Sequence, residues 1–297
     1  MPDRFEKYML HPVEKEITDA DAKVDLIRSK DNPIMDFFYE SCYYRHPYVV
    51  SKEEYALPCE ELFMFISTAD EDEKLGATIA FTVNGERHII DHACMIQVPA
   101  LVPHGPIEVL DVETPIFSYC ATFSREHVSM PKEYWKTENV PAFETMVLNA
   151  NPGINEPHIN NHQHYVILGL AGKTMPGIIT ADIRRFEKTD GWKYVETGHC
   201  HGSPELLGYY GTDPWHPYEL NGTYTQYIGG KKFIIDKPTA CYFPAYVPHC
   251  PVYVENITKQ NFWHCLGRSV GTFNQNADAA LADISVANGE LDLKEPW

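Results

Sequence analysis

Val98-Pro99-Ala100-Leu101-Val102-Pro103-His104 recurs later in the chain as Phe243-Pro244-Ala245-Tyr246-Val247-Pro248-His249. The correspondence extends in both directions from this pair of segments. Upstream, Glu61-Leu62 matches Glu205-Leu206, and Asn84-Gly85-Glu86-Arg87-His88-Ile89-Ile90-Asp91 matches Gly229-Gly230-Lys231-Lys232-Phe233-Ile234-Ile235-Asp236. Downstream, Phe117 and Cys120 match Phe262 and Cys265. Order and spacing hold to within one residue over the whole stretch. The chain therefore carries two copies of one domain.

Within each copy the local pattern is β. Asn84-Gly85 and Gly229-Gly230 are dipeptides suited to tight hairpin turns between twisted strands. Their flanks, such as Thr78–Val83 and Thr223–Ile228, are rich in β-branched and aromatic residues. Short strands punctuated by Gly and by 22 prolines predict all-β barrels or sandwiches. Helical periodicity is scarce. A short helix is expected within Asp31–Tyr44, and a better one over Ala277–Val286, which is Ala-rich with Asn276 and Asp278 near its start. The Pro-containing stretch Pro131–Pro157 reads as the join. The expected division is an N-terminal barrel over 1–140, a linker over 141–157, a C-terminal barrel over 158–275, and a helix with an acidic tail over 276–297.

Length and composition narrow the function classes. The 297 residues suffice for two domains, and 44% apolar residues suffice for packed cores. A net charge of −18 provides no basic stripe for nucleic acid. Met1 to Lys15 has no apolar core segment of a secretory signal, and no run approaches the roughly 18 apolar residues of a membrane helix. The eight cysteines are scattered without a CxxC pair, which fits reduced thiols. A cytoplasmic protein with a small-molecule substrate, and neither a nucleic-acid nor a membrane partner, is expected.

The chemistry-bearing residues concentrate in the second copy, in Gly198-His199-Cys200-His201-Gly202-Ser203-Pro204-Glu205 and in His249 after Pro248. Strand side chains alternate faces, so His199 and His201 project to one side and Cys200 to the other. Continued parity puts Glu205, Leu207 and Tyr209 on the histidines' side. Pro248 cannot donate to a ladder and belongs near a strand start, from which His249 enters a neighbouring strand facing the same interior. Three imidazoles and a carboxylate suit one divalent ion per chain among Fe, Mn, Ni, Co, Cu and Zn. Such a set leaves coordination positions open, as catalytic sites do.

These residues resemble the cupin superfamily, whose first motif has two histidines one residue apart with a glutamate four residues on. Its second motif has a Pro-containing turn leading to a third histidine. Two copies in tandem resemble the bicupins, and the resemblance implies two jelly-roll-like β-barrels, with metal ligands His199, His201, Glu205 and His249. It also implies edge-to-edge pairing of barrels, hence a homodimer. In the first copy Tyr55 and Leu57 stand where the histidines would, and only Glu61 and His104 persist. Two ligands rarely hold a transition metal, so this barrel is expected to be metal-free, with Glu61 and His104 forming a buried hydrogen-bonded pair.

Four residues are candidates for catalysis. Glu205 can act as a base, and Tyr209 follows it by parity. Tyr246 lies in the turn before the third histidine. His264 stands where the first copy has Tyr119 and would serve as a proton shuttle if it faced inward. His158, His162 and His164 form a further histidine patch with no glutamate at the motif spacing. Trp192, Tyr242 and Trp263 read as packing. The resemblance implies a metal-dependent enzyme, with dioxygenase-type oxidation or cleavage of an aromatic, enol or diketone-like compound placed first. A non-redox isomerase, lyase, hydrolase or decarboxylase of a small keto or sugar acid is the alternative, and a ligand-binding or storage cupin is the third.

Overall fold

The computed structural model describes residues 4–69, 73–122, 124–150, 164–170, 180–186, 188–196, 198–200 and 202–267. His201, His158, His162 and the expected helix over Ala277–Val286 lie outside the described residues. The chain divides into two compact units. One comprises 12–152 with 213–217, and the other 1–11, 153–212 and 218–297. The first unit thus runs to Pro152 rather than ending at 140, and the opening residues of the chain belong to the second.

In the N-terminal unit a six-stranded sheet runs in the order Val147–Asn149, Cys94–Val98, Glu61–Ser67, Ile116–Thr122, Phe38–Tyr44, Lys23–Arg28. A four-stranded sheet runs Tyr48–Ser51, His104–Val112, Lys74–Val83, Glu86–His92. The C-terminal unit repeats the plan. Its larger sheet is Met9–Leu10, Thr239–Phe243, Glu205–Gly211, Asn261–Gly267, Thr180–Phe186, His164–Leu170, and its smaller sheet is Thr189–Glu196, His249–Ile257, Gly222–Ile228, Lys231–Ile235. Paired strands are antiparallel throughout, as hairpins and Greek keys require.

Side chains alternate as the sequence pattern implies. Phe63 and Phe65, Cys94, Ile96 and Val98 from the larger sheet meet Leu75, Ala77, Ile79, Phe81 and Val83 from the smaller in one core. In the second unit Leu207, Tyr209, Cys241, Phe243 and Trp263 meet Tyr224, Ile228, Val252 and Val254. Both predicted hairpins form. Asn84 and Gly85 have φ of 49° and 78°, and Gly229 and Gly230 have 57° and 75°, the left-handed pair that a two-residue turn between twisted strands demands.

Two expectations fail. Asp31–Tyr44 is a short 3-10 turn, Ser29–Asp31, followed by the strand Phe38–Tyr44. The strand is held on both sides, by Lys23–Arg28 and Ile116–Thr122, and its aromatic residues pack better on a pleated surface than on a helix. The linker stretch is also structured, since Val147–Asn149 pairs with Cys94–Val98 at the edge of the first larger sheet. Met9–Leu10 plays the corresponding part in the second unit by pairing with Ala240 and Cys241.

Candidate metal centre

His199 and His249 face each other across an isolated antiparallel bridge, each backbone N–H donating to the other's carbonyl at 2.9 Å. Their rings lie 4.5 Å apart, nearly edge to face. Glu205 opens its strand opposite Phe243 and Gly267, which brings its carboxylate to the same place. Glu205 Oε2 is 2.6 Å from His249 Nε2 and 3.8 Å from His199 Nε2. All three residues are buried. The structure thus brings together three of the four sequence-predicted ligands; the fourth, His201, is outside the described residues.

The tautomer of His249 carries the chemistry. Its Nδ1 lies 2.8 Å from the carbonyl of Val247, which can only accept, so Nδ1 bears the hydrogen. In a neutral imidazole Nε2 is then a bare lone pair, here aimed at a carboxylate oxygen. At that distance a proton lies between them, and a metal ion with bonds of about 2.0–2.2 Å can take its place once the two atoms part by a little under 1 Å. A divalent ion fits the donor set, because Nδ1–H to a carbonyl is the arrangement that orients a ligating histidine. Phe243 stacks flat on the His249 ring at 4.3 Å and fixes it from the other side.

Two thiols escaped the sequence reading. Cys265 Sγ donates to Glu205 Oε1 at 2.7 Å, holding the second carboxylate oxygen. The sulfur of Cys250 lies within 4.8 Å of a ring nitrogen of each of His199 and His249. Alternation from His249 would send Cys250 to the opposite face. Its φ of 62° breaks the alternation, beside a register slip between Gln226 and Ile228. The corresponding residue of the first copy is Gly105, also at positive φ, and a cysteine in a glycine position was the available signal.

The candidate catalytic residues separate. Tyr209 shares the interior with Leu207 and Trp263 as parity required, but it is fully buried and its hydroxyl donates to Gln226 Oε1 at 2.5 Å. Burial pushes its ionisation well above the ordinary tyrosine range. Tyr246 is 62% exposed, and its hydroxyl lies over Gly202, where a Cβ would come within 3.0 Å of it. It therefore lies at the surface over Gly202, three residues along the chain from His199. The expectation for His264 is corrected. It pairs with Gly208, while Leu207 pairs with Cys265 and Tyr209 with Trp263, so His264 occupies the face of the sheet turned away from the metal ligands. There it stacks on Tyr210 at 5.6 Å. Tyr242 and Trp263 are buried packing residues, as expected.

Burial lowers the His264 imidazole to about 3. Below pH 6.5 the unfolded chain takes up a proton here that the folded chain refuses, so this residue makes stability fall as the pH falls, down to about 3. The loss between pH 7 and pH 5 is about 2 kcal/mol. His264→Leu is expected to remove that slope in urea denaturation at the two pH values. An unchanged slope would mean that the imidazole is solvated in the folded protein.

The first copy holds a related but different cluster. Tyr55 takes the place of His199, bridging to His104 through 2.9 Å and 2.8 Å backbone bonds, and Leu57 is buried at the position of His201. Glu61 and His104 form the expected buried pair, Oε2 to Nε2, at 2.7 Å, with His104 Nδ1 on the carbonyl of Val102. His127, which no repeat signal marked, adds a second imidazole on Glu61 Oε1 at 2.6 Å. Cys120 donates to the same oxygen at 2.9 Å. Burial acts to raise the Glu61 carboxyl, but the bonds and charges from His104 and His127 outweigh it and hold it at about 2.

Solved structures share this architecture. AerE from Microcystis aeruginosa superposes with a TM-score of 0.50 at 14% identity, over 88% of this chain and 99% of that one. A mutant of Bacillus subtilis oxalate decarboxylase gives 0.53 at 13% identity, over 90% and 78%. Vicilin from Corylus avellana (hazelnut) gives 0.54 at 10% identity, over 88% and 85%. The chain has the bicupin fold. At these identities the likeness extends to the fold and no further, and no sequence-family model or curated protein sequence matches the chain. The fold is shared by an oxalate decarboxylase and by a vicilin, so function has to be argued from the residues of the site.

Proposed function

We propose that this bicupin is a metal-dependent enzyme acting on a small organic substrate, and that it uses dioxygen to oxidise or cleave an aromatic, enol or diketone-like compound. The observation that carries the proposal is the convergence of His199, Glu205 and His249 on one point beside an apolar and aromatic core. Phe243, stacked on the His249 ring, belongs to that core with Leu207, Tyr209, Tyr224 and Trp263. A divalent transition metal held there supplies Lewis acidity and, where redox-active, one-electron chemistry with dioxygen.

The chain's own residues define the remaining roles. Glu205 is the one carboxylate among the described ligands, and it takes the hydroxyl proton of an enol or phenol as the substrate docks. Cys265 on Oε1 keeps the carboxylate oriented while Oε2 works. Tyr246, exposed over Gly202, contacts the substrate from the solvent side. The core aromatics exclude water and favour a flat, weakly polar ligand. His264 faces away and Tyr209 is committed to Gln226, which leaves few proton donors at the centre. A substrate bringing its own ionisable hydroxyl needs fewer of them than a sugar isomerisation does.

A non-redox decarboxylation is the second reading. It is favoured by the Cys265–Glu205 pair, which can return a proton to the carbanion left when carbon dioxide departs. A protein of the same fold is an oxalate decarboxylase. The two readings part in one experiment. Protein reconstituted in turn with Fe(II), Mn(II) and Zn(II) is offered catechols, enols and 1,3-diketones in an oxygen electrode, and small keto acids and oxalate under argon with carbon dioxide detection. Oxygen uptake that is abolished in Glu205→Gln supports the first reading. Anaerobic carbon dioxide release without oxygen uptake would overturn it in favour of the second, and neither activity with any metal would overturn both.

A further inference from the structure

We propose that the N-terminal barrel is itself a metal site, of a different composition from the C-terminal one, in which Glu61 Oε1, Cys120 Sγ and His127 Nε2 bind a zinc-type divalent ion. The expectation of a metal-free barrel rested on two surviving motif residues, Glu61 and His104. The fold supplies further donors from elsewhere in the chain. The carboxylate, thiol and imidazole donor atoms all lie within 4.8 Å of one another. At present the imidazole and the thiol both meet Glu61 Oε1, at 2.6 Å and 2.9 Å. Opening those contacts by about 1 Å gives the spacing of ligands around a tetrahedral ion with 2.0–2.3 Å bonds.

Each donor is brought by a different element and held by its own support. Glu61 begins its strand, and Cys120 lies across from Phe63 two residues further along. His127 comes from the segment after the strand Ile116–Thr122, with its ring between Phe38 at 4.4 Å and Tyr55 at 5.4 Å. His104, on the other carboxylate oxygen and on the carbonyl of Val102, orients Glu61 from behind without entering the donor cluster. An outer partner of this kind is what fixes a ligating carboxylate. The His127 side chain is 29% exposed, so the cluster is reachable from solvent.

Cysteine, histidine and carboxylate together suit zinc or cobalt, with one tetrahedral position left for water or a ligand. The two barrels thereby divide the same plan differently. Both keep a thiol and a histidine on the motif glutamate. The C-terminal barrel adds His199, whereas the N-terminal barrel has Tyr55 there and adds His127 instead. Loading expels to solvent the Cys120 thiol proton and the proton shared by His127 and Glu61. None of this depends on the reaction proposed for the other barrel.

The test is a titration with Co(II) alone, under argon, of full-length His249→Ala, whose C-terminal site is disabled. One tightly bound equivalent is expected, with a near-ultraviolet thiolate-to-cobalt charge-transfer band. Adding Cys120→Ser should abolish the band, whereas Cys250→Ser should leave it. Adding His127→Gln should weaken binding by at least roughly 100-fold, since loss of an outer partner alone costs about 10–100-fold. His127 is partly exposed, so this variant retains the fold, which circular dichroism verifies. No bound equivalent in His249→Ala, or one indifferent to both Cys120→Ser and His127→Gln, would overturn the proposal.

Discussion

His249→Ala is expected to weaken divalent-metal binding in the C-terminal barrel by at least ~100-fold and to remove turnover with it. The side chain does three things at once. Its Nε2 faces Glu205 and lies beside His199, its Nδ1 is fixed by the carbonyl of Val247, and its ring is clamped against Phe243. Loss of an outer-sphere partner alone typically costs about 10–100-fold in metal affinity, and loss of a ligand costs at least as much. Truncating a buried ring also leaves a cavity, so His249→Gln, which retains bulk, serves as the companion variant. Competition against a coloured chelator gives the affinity. Equal affinity in wild type and both variants would show that the metal, if bound, sits elsewhere.

The second large effect is on stability. Gly208→Ala should cost about 3 kcal/mol, at the upper end for overpacking a core. A Cβ at this position would land 2.1 Å from His264 Nε2, 2.4 Å from its Cδ2 and 2.7 Å from Tyr210 Cε2. Neither ring can withdraw easily. Both are fully buried and stacked on each other, in the central pair of strands of the larger sheet. In the first copy the same cross-strand pair is Met64 and Tyr119, so the second copy has exchanged a long side chain for a glycine that admits the imidazole. Urea denaturation measures the cost, and His264→Ala in the same chain should recover part of it because the clash is removed. A loss below about 0.5 kcal/mol would mean that the rings shift freely.

The repeat made the fold legible. Once Val98–His104 and Phe243–His249 are aligned, the paired Asn-Gly and Gly-Gly turns and the alternating strands follow from local chemistry. Phe38–Tyr44 was harder, because its register is set by partners on both sides that a local window does not contain. The edge strands were not legible either. Met9–Leu10 and Val147–Asn149 are too short to signal a strand, and each forms only because a sheet edge offers it unpaired groups.

The candidate centre was legible where strand parity holds and lost where the backbone departs from it. Glu205, Leu207 and Tyr209 share a face because their strand is regular, and the same regularity sends His264 to the other face. Cys250 escaped notice because its left-handed backbone resets the alternation. Cys120 and Cys265 were noticed only as repeat markers, since their bonds to glutamate cross the sheet. His127 carries no periodic signal, because it reaches Glu61 from a segment outside the regular strands.

The central claim is that the motif residues of the C-terminal barrel hold a metal ion. Anomalous diffraction from crystals of the metal-loaded protein, collected at the absorption edge of the ion found by elemental analysis, tests it most directly. The expected result is a peak at bonding distance from His199 Nε2, His249 Nε2 and a Glu205 oxygen, absent in crystals of His249→Gln. A loaded protein with no anomalous peak at these three residues would contradict the account, whatever signal the N-terminal barrel gives.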